Sequence, residues 1–329
     1  MAPSSPLDPF DPFKPGKAIR LVHIGLSLPQ YGRLADPRLC APVATAAEKI
    51  GYDSLWVGDR LLVATEPQSR YPGGDGTAPA EHRSFLDPLT LLTVAAGATR
   101  HARLGTSTLN ALWHPPALLA RTLTTLDLLS GGRLDVGVGL GWSKDEYQAV
   151  GVPWEGRGAR LEETLDVLES VWSEGGVVSH RGRLWTVPPS VVRSKPAQRP
   201  RPPLLLGGFG AESLARVGRR ADGWLGAGLP MPALEHMWQT VRRHAVEAGR
   251  DPDALRLVLR INPVVTVEPA PREQVPHRGT VDQLAAYLAT AVRTLGAEPL
   301  IDPHLTARDA DDYLDIALAL HDRLRHRVD

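Results

Sequence analysis

Cysteine is almost absent from this sequence: Cys40 is the only one among 329 residues. A single thiol excludes an internal disulfide and a metal site built from several thiolates. Because Cys40 lies among the apolar residues of a predicted helix, we expect a buried structural thiol and a reducing compartment. Net charge is also absent, since 37 basic and 37 acidic side chains cancel. Without the field that attracts nucleic acid or an anionic membrane, a small molecule is the expected partner.

Long apolar runs are missing as well. No stretch approaches the roughly 20 apolar residues that a membrane span requires, and no basic segment followed by an apolar one stands at the N-terminus. We therefore expect a cytoplasmic protein. The GxSxG, HExxH and GxxxxGK[ST] motifs are absent, and the scattered histidines lack ligand spacing, so we expect no metal.

The first 18 residues differ in composition from the rest of the chain. Prolines at positions 3, 6, 9, 12 and 15 repeat with the period of a polyproline II turn. We interpret residues 1–18 as a proline-rich tail. A disordered leader is favoured over an arm laid across a neighbouring subunit through Phe10 and Phe13.

Beyond this tail, eight apolar runs typical of buried parallel strands alternate with helical patterns. The predicted strands are 19–27, 54–59, 103–109, 133–139, 203–208, 222–227, 256–265 and 298–301. The predicted helices are 37–50, 88–100, 115–129, 161–172, 211–220, 231–248, 281–295 and 309–325. No linker of changed composition interrupts this alternation, which predicts one (β/α)8 TIM-type barrel over residues 19–329.

Three polar insertions interrupt the predicted barrel. Segments 61–85 and 141–159 follow strands and should lie at the C-terminal face, where barrel enzymes place their sites. Segment 174–202 follows a helix, which predicts the opposite end unless it folds back.

The stretch LSGGRLDVGVGLGWSKDEY, residues 129–147, raises the question of a dinucleotide fingerprint. That fingerprint needs GxGxxG opening a helix, followed by an acid at the end of the next strand. Here the spacing is GxGxG within a strand, and the acidic residues at the expected distance lie on a helix. The stretch is therefore not a dinucleotide-binding fingerprint. Glycines at this strand end either admit a flat ring or allow tight packing inside the barrel.

Several stretches together resemble the bacterial luciferase-like flavin and deazaflavin oxidoreductase superfamily, in particular its F420-dependent branch. They are IGLSLPQYG, AEKIGYDSLWVGDRLL, LGTSTLNALWHPPALLARTLTTLD, the glycine-rich stretch above and PPLLLGGFGAESLARVGRRADGWLG, in order over residues 19–228. The resemblance implies a TIM-type barrel, usually a homodimer, with a flavin or coenzyme F420 at the C-terminal mouth.

The predicted cofactor contacts cluster at strand ends. Bare backbone at Gly207 and Gly208, with Phe209 and the start of the following helix, predicts a phosphate site, and Gly226 and Ala227 would complete it. The resemblance implies a bulge at Ser107 and Thr108, often with a cis peptide behind the ring. Asn110 either bonds the ring edge or makes a rim turn. Further candidate contacts are Gly139, Gly141, Trp142 and Ser143.

The candidate catalytic residues are Asp59, Arg60 and His114. Relatives acting on sugar phosphates or alcohols often have histidine where Arg60 stands, and arginine cannot move a proton because its pKa exceeds about 12. Arg60 either holds an anionic group while Asp59 bonds the ring, or the two form a surface ion pair. His114, in WHPP, either handles substrate or a proton, or packs at a helix start.

Other residues near these strands have weaker signals. Trp142 replaces an acid of the sugar-phosphate-oxidising relatives and is predicted to wall an apolar pocket. Tyr147, Arg157 and Arg160 either contact phosphate or an anionic F420 tail, or are solvated. His23 is expected in the core.

The sequence thus predicts an F420-dependent oxidoreductase that transfers a hydride between the deazaflavin and a small organic substrate. An FMN-dependent luciferase-like monooxygenase is the first alternative. A flavin- or F420-binding protein without turnover is the second.

Overall fold

Eight apolar segments pair side by side in the computed structural model, which describes residues 22–328. They are β1 (Gly25–Ser27), β2 (Ser54–Val57), β3 (Arg103–Thr106), β4 (Leu134–Gly139), β5 (Leu204–Gly207), β6 (Gly223–Ala227), β7 (Arg256–Ile261) and β8 (Glu298–Ile301). The predicted tail, residues 1–18, and the beginning of the predicted first strand lie outside the described residues.

The strands form a closed ring. Each strand pairs in parallel with the next one along the chain, and β8 pairs with β1. The β3–β4 contact joins Leu104 to Leu134 and Gly105 to Asp135. The predicted (β/α)8 barrel is therefore confirmed.

Helices cover the outside of this ring, except the short helix Lys144–Ala149, which lies in the insertion 141–159 at the C-terminal rim. They are α1 (Pro37–Ile50), α2 (Pro88–Ala98), α3 (Pro116–Leu129), α4 (Lys144–Ala149), α5 (Arg157–Trp172), α6 (Ala211–Arg220), α7 (Met231–Glu247), α8 (Val281–Leu295) and α9 (Ala310–Val328). Asp36 and Asp87 cap α1 and α2, as the Asp-Pro pairs predict, and Thr280 and Gln283 form the predicted capping box of α8. Such a cap contributes about 1 kcal/mol.

The barrel interior is stacked in layers because alternate strand residues point inward. The middle layer is apolar and consists of Trp56, Leu205, Leu225, Val258 and Leu300. The remaining buried apolar side chains pack between the strands and the helices. A Cβ on Gly25 or Gly105 would meet the indole of Trp56, so these two glycines make room for it.

An ion-pair network fills the N-terminal end of the barrel. Asp135 is fully buried and binds Arg103 at 2.5 Å and Arg256 at 3.0 Å, while Arg256 also binds Glu298 at 2.7 Å. A carboxylate buried this deeply requires such partners. Packed side chains therefore close this end, and the opposite end carries the mouth.

The insertions lie where the alternation predicts. Segment 61–85 lies on the C-terminal rim, where Gln68 donates to Asp145 in the first turn of α4. Segment 174–202 contains a hairpin, Val178–Arg181 with Thr186–Ser190. Its last part reaches the N-terminal end, where the backbone N–H of Gln198 donates to Asp127 at 3.0 Å.

The structure also tests the predictions for Cys40, for His23 and for two of the strands. Cys40 is buried as expected, and burial raises the pKa of its thiol to about 11. His23 is exposed, so its prediction as a core residue is wrong. The predicted strands 103–109 and 256–265 are each broken: a bulge follows Thr106, and Val264–Val265 leaves the barrel to pair with Arg278–Gly279.

Candidate functional site

Polar and aromatic side chains converge at the C-terminal mouth of the barrel because parallel strands all end there. Asp59 and Arg60 follow β2, Thr108 follows β3, Trp142 follows β4 and Gly208 follows β5. Arg260 lies in β7, Asp302 and His304 follow β8, and Tyr31 follows β1.

A bulge after β3 forms the floor of the mouth. Ser107 and Thr108 are joined by a cis peptide bond, which confirms the arrangement that the resemblance implies. Leu109–Asn110 then resumes parallel pairing with β4. The Arg260 guanidinium donates a hydrogen bond to the Ser107 carbonyl. A hydrogen bond from β7 thus holds the bulge in place. Thr108, which is partly exposed, lies at the mouth.

The glycines around the bulge have a packing role. A Cβ on Gly207 would lie 2.9 Å from Thr108 Cγ2, and one on Gly139 would lie 3.0 Å from Thr108 Cβ. A Cβ on Gly137 would collide with the Thr106 carbonyl. Tight packing, the second interpretation of the glycine run, therefore explains these positions. A ring bound here would rest on the bulge that the glycines admit, and contact with Gly139 stays a prediction.

Asp59 holds the start of the short strand beyond the bulge. Its Oδ2 accepts the backbone N–H of Asn110 at 3.0 Å. Burial raises the pKa of the carboxyl to about 7, and the nearby charge of Glu146 adds to the shift. Asn110 itself caps the turn at 111–113, as the rim-turn alternative predicts. A carboxyl group that titrates near neutrality can hold or release a proton under ordinary conditions.

Arg60 is buried and bonds to Glu146. Its Nη2 lies 3.1 Å from Glu146 Oε1, and its guanidinium lies 4.6 Å from the centre of the Trp142 ring. The predicted alternative of an exposed Asp59–Arg60 pair is therefore wrong. Because Glu146 also accepts the backbone N–H of Leu61 at 2.8 Å, it ties the start of segment 61–85 to α4.

Three rings pack against one another where segment 61–85 meets the strand ends. Tyr31, His82 and His304 form this ring cluster, with centroid separations of 5.1, 5.2 and 5.6 Å. Tyr71 extends the cluster, since its ring lies 5.6 Å from His82 and 5.3 Å from Trp142. The rings therefore form one aromatic wall between the strand ends and the covering segment.

A buried charge pair supports this wall. Arg260 Nη2 lies 2.5 Å from Asp302 Oδ2, and His304 Nδ1 lies 2.8 Å from Asp302 Oδ1. Burial alone would raise the pKa of Asp302, but the charges of His304 and Arg260 hold it well below its usual value. Asp302 is therefore ionised and orients the imidazole of His304.

Several buried nitrogens at the mouth have no hydrogen-bond partner among residues 22–328. They are Arg60 Nε, His82 Nδ1 and His304 Nε2. Leaving a buried polar atom unpaired costs about 1–3 kcal/mol. These three nitrogens can form hydrogen bonds with a molecule that binds at the mouth.

The N-terminus of α6 borders the same mouth. Gly208 adopts a left-handed φ of +138°, which a side chain would strain, and Gly210 is the exposed N-cap. Phe209 is 46% exposed. Glu212 in the first turn partly offsets the positive end of the helix. The free first-turn N–H groups still suit a phosphate, and this role of 207–209 stays a prediction.

The predicted part of β6 in this cradle needs correction. Gly226 faces the helices, where an added Cβ would meet Leu257 and Leu234. Leu225 belongs to the apolar middle layer. Ala227 is half-buried at the strand end and is the residue of this strand that the alternation turns toward the mouth.

Four candidate residues lie at the edge of the mouth, and three of them have structural roles there. The Tyr147 hydroxyl donates to the Leu140 carbonyl, and Ser143 caps α4. His114 is half-buried, and burial lowers its pKa. Its contacts do not join the ring cluster, so its role in catalysis stays a prediction. Gly141 has a left-handed φ of +63°, which suits a turn.

Arg157 and Arg160 begin α5 next to Tyr147. The Nε atom of each is buried without a hydrogen-bond partner in the described part of the chain. Arg157 lies 3.5 Å over the Trp154 ring. Both side chains are half-buried rather than fully solvated, and they keep donors for an anion.

Several residues that line the mouth were not predicted from the sequence. Glu146, Arg260, Asp302, His304 and the ring cluster were not among the candidates. A signal existed for Asp302, which directly follows the predicted strand 298–301, whereas Arg260 lies in the middle of the predicted strand 256–265 and is near a strand end only because the strand in the structure ends at Ile261. For His82, which lies in an insertion, strand counting offers no signal.

Within residues 22–328 no group of three or more His, Cys, Asp or Glu side chains is placed to hold a metal ion. No helix of that part of the chain is both long and apolar enough to cross a membrane.

A closed parallel barrel with its polar groups gathered at the C-terminal mouth defines a TIM-type α/β protein with a candidate ligand site. The family model for luciferase-like monooxygenases matches residues 23–324, and the chain therefore belongs to the luciferase-like monooxygenase family, a family of oxidoreductases.

Similar proteins agree with this assignment. "Uncharacterized protein Rv0953c" of Mycobacterium tuberculosis is 32% identical over 252 residues, which cover 74% of this chain and 85% of the relative. A phthiodiolone/phenolphthiodiolone dimycocerosates ketoreductase of M. tuberculosis is 30% identical over 213 residues, 63% of this chain and 56% of that protein. The solved structure of an F420-dependent secondary alcohol dehydrogenase with an F420–acetone adduct superposes with a TM-score of 0.74 at 18% identity, covering 92% and 99% of the two chains.

Proposed function

We propose that this protein is an F420-dependent oxidoreductase that transfers a hydride between the deazaflavin and a small, mostly apolar organic substrate. The bulge at Ser107 and Thr108 is the observation that carries this proposal. It presents the partly exposed Thr108 above Gly139 and Gly207, at the same end of the barrel as the aromatic wall. A flat tricyclic ring fits against such a bulge and such a wall.

The residues around the floor fit the other parts of the cofactor. The bare backbone at 207–210 and the first turn of α6 offer N–H donors to a phosphate. Arg157 and Arg160, with unpaired buried Nε atoms, offer cations to an acidic tail. These arginines at the start of α5 favour F420 over FMN, because F420 carries an anionic tail.

The bound cofactor would supply the hydride chemistry, and the chain's own residues supply alignment and a dry site. Asp59, whose pKa lies near 7, holds a proton beside the ring position. Segment 61–85, tied down by Glu146, covers the mouth and excludes water. Arg60 and Trp142 wall the substrate side.

Two relatives bear on the substrate. The ketoreductase that is 30% identical and the alcohol dehydrogenase of the same fold are both named for carbonyl–alcohol chemistry. We extend that chemistry to this chain as part of the proposal. A homodimer and a cytoplasmic location also remain expectations, and light scattering of the purified protein tests the first.

An FMN-dependent monooxygenase is the second candidate. Such an enzyme must shelter its reactive site from water, and the covering segment 61–85 is the observation that favours it.

Titration of the purified apoprotein with F420 and with FMN tests the proposal. Binding is followed by quenching of tryptophan fluorescence, since Trp142 lies at the mouth. We expect F420 to bind at least about tenfold more tightly than FMN. Tight binding of FMN alone would overturn the F420 assignment, and tight F420 binding without turnover of any ketone or alcohol would favour a non-catalytic binding protein.

A further inference from the structure

The proposed hydride transfer needs a partner that the cofactor does not provide. When a carbonyl becomes an alcohol, its carbon gains the hydride and its oxygen must gain a proton. Arg60 cannot supply that proton, because a guanidinium does not deprotonate in proteins. Asp59 lies beside the bulge, where its Oδ2 is engaged by the Asn110 backbone. The ring cluster offers a different donor.

His304 has the geometry of an acid–base residue. Its side chain is 1% exposed, its Nδ1 lies 2.8 Å from Asp302, and its Nε2 is buried without a partner among the described residues. Asp302 fixes the tautomer, since a carboxylate at Nδ1 requires hydrogen there. The nitrogen left for proton exchange is therefore Nε2.

The neighbours of His304 indicate what molecule would meet Nε2. His82 Nδ1 is a second unpaired nitrogen, on a ring stacked 5.6 Å from His304. A carbonyl oxygen can accept a hydrogen bond from Nε2 of a protonated histidine, and a hydroxyl group can donate one to Nε2 of a neutral histidine. The Tyr31 ring, 5.2 Å away, supplies an apolar face for the carbon atoms next to that oxygen.

The charges of the mouth argue against an anionic substrate. Arg60 is matched by Glu146 at 3.1 Å, and Arg260 is matched by Asp302 at 2.5 Å. Each buried cation thus has its own carboxylate, and the remaining wall is aromatic. A neutral, flat, apolar molecule is the complementary ligand.

We infer that His304, oriented by Asp302, exchanges a proton with the oxygen of a neutral aromatic ketone or the corresponding secondary alcohol. This inference rests on the proposed function. In reduction, the bound deazaflavin would supply the hydride to the carbonyl carbon, and the carbonyl π electrons would form the new O–H bond with the proton that His304 donates from Nε2. The imidazole that remains keeps its Nδ1 hydrogen on Asp302. The alcohol and the oxidised deazaflavin are the products.

The pH dependence of this step is shared with the groups that face His304. Asp302 and Arg260 lie on one side, and Tyr31 and His82 lie on the other. Burial and the charge of His304 lower the pKa of His82 to about 3, so His82 stays neutral over the working range.

A matched pair of variants tests the inference. His304→Gln removes the acid, and His321→Gln is the control, because His321 is also buried and also lies beside a carboxylate, Asp322. His321 bonds to Gly51 before β2, away from the mouth. With reduced F420 and acetophenone, we expect His304→Gln to lower kcat at least about 100-fold. Its F420 affinity should stay within about twofold of wild type, and His321→Gln should match wild type.

Nuclear magnetic resonance of the wild-type protein provides a second measurement that needs no turnover and no variant. With 15N-labelled histidine, acetophenone should shift the Nε2 signal of His304, and ethylbenzene, which lacks the oxygen, should not. If acetophenone fails to bind, or binds without moving that signal, the inference is overturned. Failure of the wild type to bind F420 would instead overturn the proposed function and leave the acetophenone result to decide the role of His304.

Discussion

Replacement of Asp59 by asparagine should make the protein more stable, and the gain should grow with pH. The carboxyl pKa is about 7 in the folded chain, against its ordinary value of 3.8. The folded state therefore holds an extra proton between about pH 4 and 7, and the wild type loses stability as the pH rises through that window. Asparagine keeps an oxygen for the Asn110 N–H and carries no charge at any pH.

The size of the effect follows from the pKa difference. A shift of about three pH units corresponds to about 4 kcal/mol at 1.36 kcal/mol per unit. Of this, about 2–3 kcal/mol falls between pH 5 and pH 8, because the unfolded carboxyl is already ionised at pH 5. Solvent at the partly exposed carboxylate reduces the figure, so we expect about 2 kcal/mol.

Urea unfolding of wild type and Asp59→Asn at pH 5 and pH 8 measures this difference directly. Asp145→Asn, which removes a carboxylate from the same rim, controls for net charge. The reasoning fails if the advantage of Asp59→Asn is the same at both pH values, since the carboxyl would then not titrate between them.

Three further predictions concern the other parts of the barrel. Gly210→Asp should stabilise the N-terminus of α6 by up to about 1 kcal/mol, because aspartate is a better N-cap. It should also weaken F420 binding at least about tenfold relative to Gly210→Asn, because its charge repels the phosphate. Equal affinities of the two variants in a fluorescence titration would refute the phosphate site. Asp135→Asn should cost about 3–5 kcal/mol in urea unfolding because it leaves Arg103 poorly compensated, and F420 affinity should not change; a lost affinity would contradict the purely structural role of that end. Glu146→Gln should release segment 61–85, seen as cleavage there at least about threefold faster under limited proteolysis; unchanged cleavage would show that other contacts hold the segment.

The fold could be predicted from the sequence because its signals are local. Asp-Pro pairs begin α1 and α2, apolar runs mark the eight strands, and their alternation leaves few topologies for a chain of this length. The insertion 61–85 was placed on the correct rim for the same reason. What local signals could not give was the break after Thr106, since nothing in LGTSTLN distinguishes a bulge from a continuous strand.

The site could be predicted only in part. Strand ends identified Asp59 and Arg60, and the family resemblance implied the bulge, but the partner of Arg60 turned out to be Glu146. The SxxE pattern at 143–146 is typical of a capping box, and the structure instead directs the glutamate to the Leu61 backbone. Such a contact joins segments 85 residues apart, and no local pattern encodes it. The stacking of His82 on His304 belongs to the same class.

Glycine positions were the least reliable basis for predicting cofactor contacts. The run at 137–141 suggested either a ring site or close packing, and the packing of Thr108 into the space above Gly139 and Gly207 favours the second. Gly226 was placed in the cradle by its position in the sequence, although the alternation of β6 turns it toward the helices. A replacement at Gly208 would also strain the backbone, which makes the unstrained Gly210 the better test of the phosphate site.

A crystal structure of the protein with bound F420 tests the central claim most directly. The account predicts a planar ring lying on Thr108 at the C-terminal mouth, with the phosphate at the first turn of α6. A ring bound outside the barrel, or a phosphate held away from residues 207–211, would contradict it.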